Sequence, residues 1–187
     1  MIEREAEMIE PMRRTLLLAS VCSIAFAATS QQAVFPELKG ETPTGKNINL
    51  PKDAKGKYTI LCLAFDRSAG DRLAAWFEPA YLRFVSKHGL FAAEYDVNIW
   101  FVPMFTGMDK AAYGPVMKKV QKSEAPEVLD HILFFQGDID VYVKDLAMTD
   151  KSKPYLFVLD ASGSIVYRTE GDFTDDKLDA IEEVLPL

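Results

Sequence analysis

The apolar positions of this chain change rhythm several times, and each rhythm predicts an element. From Tyr58 to Phe65 the run Ile60-Leu61-Cys62-Leu63-Ala64 has no polar break, which predicts a central strand covered on both faces. Leu73, Trp76, Phe77, Ala80, Tyr81, Phe84 and Val85 then recur at helical spacing, so a long amphipathic helix follows. Pro79 should kink that helix, and Gly89 stands where its C-terminal cap belongs. Ahead of the strand, Leu38 to Leu50 reads as a hairpin around the turn-rich Gly40 to Lys46, and Pro51 to Gly56 connects it onward. Val97 to Pro103 is a second core strand, and Lys110 to Lys122 is an exposed helix despite Pro115. In Leu129 to Met148, the runs Ile132-Leu133-Phe134-Phe135 and Val141-Tyr142-Val143 fit strand and helix equally. Tyr155 to Leu159, the turn Asp160 to Gly163 and Ile165 to Arg168 form a closing strand hairpin. Thr174 caps a last helix that carries Asp175 and Asp176 in its first turn and Ile181, Val184 and Leu185 on its apolar face.

Residues 1–27 follow a different pattern. Arg13 and Arg14 precede the apolar stretch Leu16 to Phe26, and Ala25-Phe26-Ala27 offers small residues at the positions a signal peptidase reads, so 1–27 is expected to be a secretory signal peptide. The Glu-rich residues ahead of Met12 suit no signal n-region, which points to Met12 as the true start. An uncleaved membrane anchor is the alternative, although the apolar run is short for a bilayer. Residues 28–34 form a linker and 35–187 a single domain, exported and expected in the periplasm. The whole chain carries a net charge of -7, and it stays acidic without 1–27, which argues against a nucleic-acid partner. Of its two cysteines, Cys22 falls in the leader, so the exported domain has Cys62 alone and no internal disulfide.

The strand Lys57 to Phe65, the loop and helix start at Asp66 to Ala74, and Trp76 and Pro79 beyond them resemble the catalytic segment of thioredoxin-like proteins. The N-terminal hairpin resembles that of the peroxiredoxin and thiol-oxidoreductase relatives. Further matching pieces are Phe35-Pro36-Glu37-Leu38-Lys39-Gly40, Leu50-Pro51, Ala75-Trp76-Phe77-Glu78-Pro79, Tyr155 to Asp160 and Gly163 to Tyr167. Together these are also similar to the redox-inactive ATP synthase assembly factors of the mitochondrial inner membrane. The resemblance implies an α/β fold, a thioredoxin-like three-layer sandwich with a central mixed sheet and an N-terminal β-hairpin. It also implies a Cys-x-x-Cys pair or a single peroxidatic Cys in the loop and first helical turn, where the helix N-terminus lowers a thiol pKa. This chain has Asp66, Arg67, Ser68, Ala69, Gly70, Asp71, Arg72, Leu73 and Ala74 there, and no sulfur.

The expected function is therefore a non-catalytic one, binding a protein partner as chaperone, assembly factor or accessory subunit, with a membrane or cell-envelope protein among the candidates. No cofactor and no metal is expected. By order of elements Pro154 takes the place of the family's cis-proline, so Asp66, Arg67, Ser68, Arg72, Pro154 and Tyr155 are expected to outline a partner-binding groove. The rival is a thiol-dependent oxidoreductase or peroxidase using Cys62. Mid-strand between Leu61 and Leu63, Cys62 reads as a buried hydrophobe with a raised pKa. Ser68 lacks a base nearby in sequence and is expected to cap the helix. His88 and His131 lack metal-ligand spacing, and Asp138, Asp140 and the Asp172, Asp175, Asp176, Asp179 cluster read as solvated surface.

Overall fold

A computed structural model describes residues 33–54, 56–86 and 95–186. The expected leader at 1–27, most of the linker, and His88 and Gly89 lie outside the described residues.

The apolar run after Lys57 forms β3 (Tyr58–Ala64), preceded by the hairpin of β1 (Leu38–Glu41) and β2 (Asn47–Leu50). The strand β3 pairs in parallel with β4 (Val97–Phe105) and antiparallel with β6 (Tyr155–Leu159). With the two-residue β5 (Phe135–Gln136) beyond β4 and β7 (Ile165–Glu170) beyond β6, the mixed sheet has the order β5-β4-β3-β6-β7. The hairpin is a separate two-stranded sheet, tied to the main one by an antiparallel bridge between Glu41 and Phe134.

Alternation along β3 sends its side chains into two cores, because successive residues of a strand point to opposite faces. Ile60, Cys62 and Ala64 pack with Trp76, Ala80 and Phe84 of α1 (Arg67–Phe84) and with Leu178 and Ile181 of α5 (Asp175–Glu183). Leu61 and Leu63 pack with Leu38 and Leu50 of the hairpin, with Phe157, and with Tyr142 of α4 (Asp140–Asp145). Helices thus cover one face, and the hairpin with α4 covers the other.

The long helix runs through Pro79 and ends at Phe84, and its buried Leu73, Trp76, Ala80 and Phe84 lie on the face predicted from spacing. The expected single helix over 110–122 is divided instead. A 3-10 turn spans Gly107–Ala112, and α2 (Tyr113–Ser123) follows it. Pro115 explains the division: proline is accommodated in a first helical turn, where no N–H is needed, but not deeper in a helix. The segment 129–148, which fits either pattern, contains the end of α3 (Pro126–Leu129), single bridges at Ile132 and Phe134, β5 and α4.

Candidate functional site

Where β3 ends, Phe65 stays buried and the backbone extends at Asp66 (φ -143°, ψ 156°) before turning into α1. Asp66, not Ser68, is the cap: its Oδ1 accepts the Ser68 backbone N–H and the Ser68 hydroxyl, each at 2.8 Å. The expectation for Ser68 fails by two residues: Asp66 is the N-cap, and its side chain accepts from the N–H of Ser68 two residues on. The Ser68 hydroxyl and amide hold the Asp66 carboxyl below its usual range, and Lys151 adds a smaller pull. Lys151, in the loop before β6, therefore belongs to this end of the molecule. The sequence reading passed over it because its only signal is position ahead of a predicted strand.

Asp66, Arg67, Ser68 and Arg72 are all exposed. The Arg72 guanidinium reaches Asp172, with Nε 3.5 Å from Oδ1, while Arg67 forms no ion pair with any described residue. Among the described residues no imidazole stands beside Ser68: His131, the described histidine, donates Nδ1–H to Ile99 O at 3.1 Å and lies edge-on to Tyr81.

Pro154 and Tyr155 sit differently from the expected groove. Pro154 is buried, and the peptide before it is trans, since the cis bond among the described residues is Leu50–Pro51. Its carbonyl accepts Gly171 N–H at 2.9 Å, and Lys153 N–H donates to Asp150 O at 3.3 Å. Those backbone groups are satisfied within the fold, so they are not open to an added peptide strand. Tyr155 is 1% exposed. Its ring stacks on Phe65 at 6.2 Å, the Arg168 guanidinium lies 5.5 Å from its centroid, and its hydroxyl donates to Asp150 O while accepting Asp150 N–H. Tyr155 therefore props the surface from beneath and does not line it. The exposed residues here are Asp66, Arg67, Ser68 and Arg72, with Lys151 near Asp66.

Cys62 lies fully buried in mid-β3, on the face packed by α1, and burial pushes its thiol well above the usual range. A thiolate is the nucleophilic form, so this sulfur is held in its unreactive state. On the other face of the sheet, Asp138 accepts the Asp140 N–H at the start of α4, and no three His, Cys, Asp or Glu side chains among the described residues converge as a metal site.

Neither a family model nor a curated protein matches the sequence. Solved structures do match the fold. A thiol:disulfide interchange protein from Bacteroides sp. superposes with a TM-score of 0.55 at 18% identity, over 82% of this chain and 89% of that one. BsSco, of the Sco family of cytochrome c oxidase assembly proteins, gives 0.54 at 12% identity, over 82% and 92%. StoA from Bacillus subtilis gives 0.52 at 18% identity, over 80% and 98%. At such identities the likeness establishes the fold, which is thioredoxin-like, and leaves the activity to be argued from the site. The comparisons add nothing to the narrower resemblance to ATP synthase assembly factors.

Proposed function

We propose that this thioredoxin-like chain is exported and acts by binding another polypeptide, as chaperone, assembly factor or accessory subunit, without thiol chemistry of its own. One observation carries the reading: the turn from β3 into α1, where a thioredoxin-like enzyme needs its cysteine, is occupied by the self-contained Asp66–Ser68 cap. The single described thiol is sealed in the strand. Disulfide exchange requires a thiolate that a partner sulfur can reach, and Cys62 offers neither ionisation nor access. The exposed Arg67 and Arg72, with Lys151 near Asp66, offer polar groups to a partner's surface, and the buried Tyr155 supports the start of this turn by stacking on Phe65. Export is supported by the leader pattern, and one solved structure of the same fold is an exposed lipoprotein thioredoxin from Streptococcus pneumoniae.

Two measurements test the reading. A photo-crosslinking residue at Arg67 should capture a specific envelope protein in cells, and Arg67→Glu with Arg72→Glu should abolish capture by a probe at the neighbouring Asp71 while the domain stays folded. Purified protein should show no disulfide reductase or peroxidase turnover. Turnover that disappears in Cys62→Ala would establish the oxidoreductase reading instead.

A further inference from the structure

Among the described α-helices, α2 is the one that buries no residue. Its attachment is one-sided. Tyr113, Val116, Met117 and Val120, spaced as one helical face, are half-buried against the body. Tyr113 lies edge-on to Phe105 and Phe134 and its hydroxyl donates to Glu41, and Gln121 Nε2–H donates to Pro43 O at 2.7 Å. The opposite face holds Gly114, Pro115, Lys118, Lys119 and Lys122, all exposed.

Those three lysines, and Lys110 in the 3-10 turn, form no ion pair with any described residue. Elsewhere the described cations are often neutralised in place, as Lys46 is by Asp130 and Arg83 by Asp179. An acidic chain of net charge -7 thus gathers unpaired positive charge on one helix face, with Asp109 and Glu124 only at its ends. In the 3-10 turn that leads into α2, Gly107 adopts φ 50° as the chain leaves β4, and the next residue, Met108, is 96% exposed.

We propose that this face seats the protein on an anionic phospholipid surface, with the α2 lysines against the phosphates and Met108 inserted at the headgroup boundary. This is independent of partner binding at the α1 rim. Charge complementarity names an anionic occupant, and the exposure of the apolar Met108 selects a bilayer over an acidic polypeptide. A protein partner is normally anchored by side chains sunk into pockets. Here the apolar side chain is Met108, exposed in the same 3-10 turn as Lys110 and not sunk into a pocket, an arrangement suited to insertion at a membrane interface. The acidic remainder of the molecule sets orientation, because repulsion beyond the roughly 8–10 Å Debye length is screened while the lysine face approaches closely.

The test uses the chain from Ala28, since the described sheet and both its cores lie within 33–186. Co-sedimentation with phosphatidylcholine vesicles containing one-quarter phosphatidylglycerol should show binding that pure phosphatidylcholine lacks and that added salt weakens. Lys118→Glu, Lys119→Glu and Lys122→Glu together should reduce it at least about tenfold, at about one Lys–lipid contact of fivefold or so each. The equal-charge control Lys52→Glu, Lys144→Glu and Lys151→Glu should change it much less, and Met108→Ser should weaken it several-fold. Equal loss in both triple variants, no preference for the anionic vesicles, or binding to polyglutamate as strong as to vesicles and indifferent to Met108→Ser would each overturn the proposal.

Discussion

Trp76 joins three parts of the molecule through one side chain. Its indole is fully buried, its Nε1–H donates to Gly171 O at 3.0 Å, and Phe173 meets its ring edge-on at 5.3 Å. Trp76→Phe keeps most of the packing but strands a buried carbonyl, so chemical denaturation should show a loss of about 1–3 kcal/mol with the fold retained. Cys62 invites the opposite experiment, since nothing polar is asked of it. In a Cys22→Ser background a thiol reagent should label Cys62 only as fast as the domain opens globally, so labelling should accelerate with denaturant; rapid labelling under native conditions would contradict its burial. The same scale shows what a sequence withholds. The missing sulfur between Asp66 and Ala74 was legible directly, because absence of a residue type needs no geometry. The burial of Tyr155 was not, because a strand that is apolar throughout gives no alternation from which to read which residue faces a groove and which a core.

Elements were legible in proportion to their length. The 18-residue α1 shows its apolar face over several turns and β3 announces itself as an unbroken run, so both were read from sequence, although α1 ends at Phe84 with Val85 as its cap, short of the Gly89 expected there. A six-residue α4 and a two-residue β5 cannot display a period. They are fixed by contacts distant in sequence: the Tyr142 hydroxyl donates to Glu37 O at 2.7 Å, and the rings of Phe135 and Tyr142 meet edge-on at 5.5 Å. The junction of this segment with the hairpin depends on Gly40. A Cβ there would stand 2.7 Å from Leu133 Cγ and 2.8 Å from the Phe134 carbonyl. Since the obstacle includes backbone, Gly40→Ala should destabilise by about 1–3 kcal/mol in a denaturant melt. A variant as stable as the parent would mean that the hairpin and β5 are not held together as described.

For the whole molecule, the depressed carboxylates decide the response to acid. Asp66, Asp130, Asp150 and Asp160 all sit below their usual range, through hydrogen bonds from neighbouring turn and cap groups and, at Asp130, chiefly from Lys46. A carboxyl whose folded value is lowered takes up its proton first in the unfolded chain. Its contribution is complete above the unfolded value, near 3.8, and is lost as the pH falls through the folded value. The melting temperature should therefore change little from neutral pH down to about 5 and drop below about 4. Asp160 is the carboxylate to isolate, because its Oδ1 accepts from Ser162 N–H, the Ser162 hydroxyl and Ser164 N–H in the turn joining β6 to β7. Asp160→Asn keeps an acceptor oxygen in that turn but removes the titration. It should melt lower than the parent at neutral pH and lose less on acidification, so that the two curves converge toward pH 3. Parallel curves over that range would show that the acid response arises elsewhere.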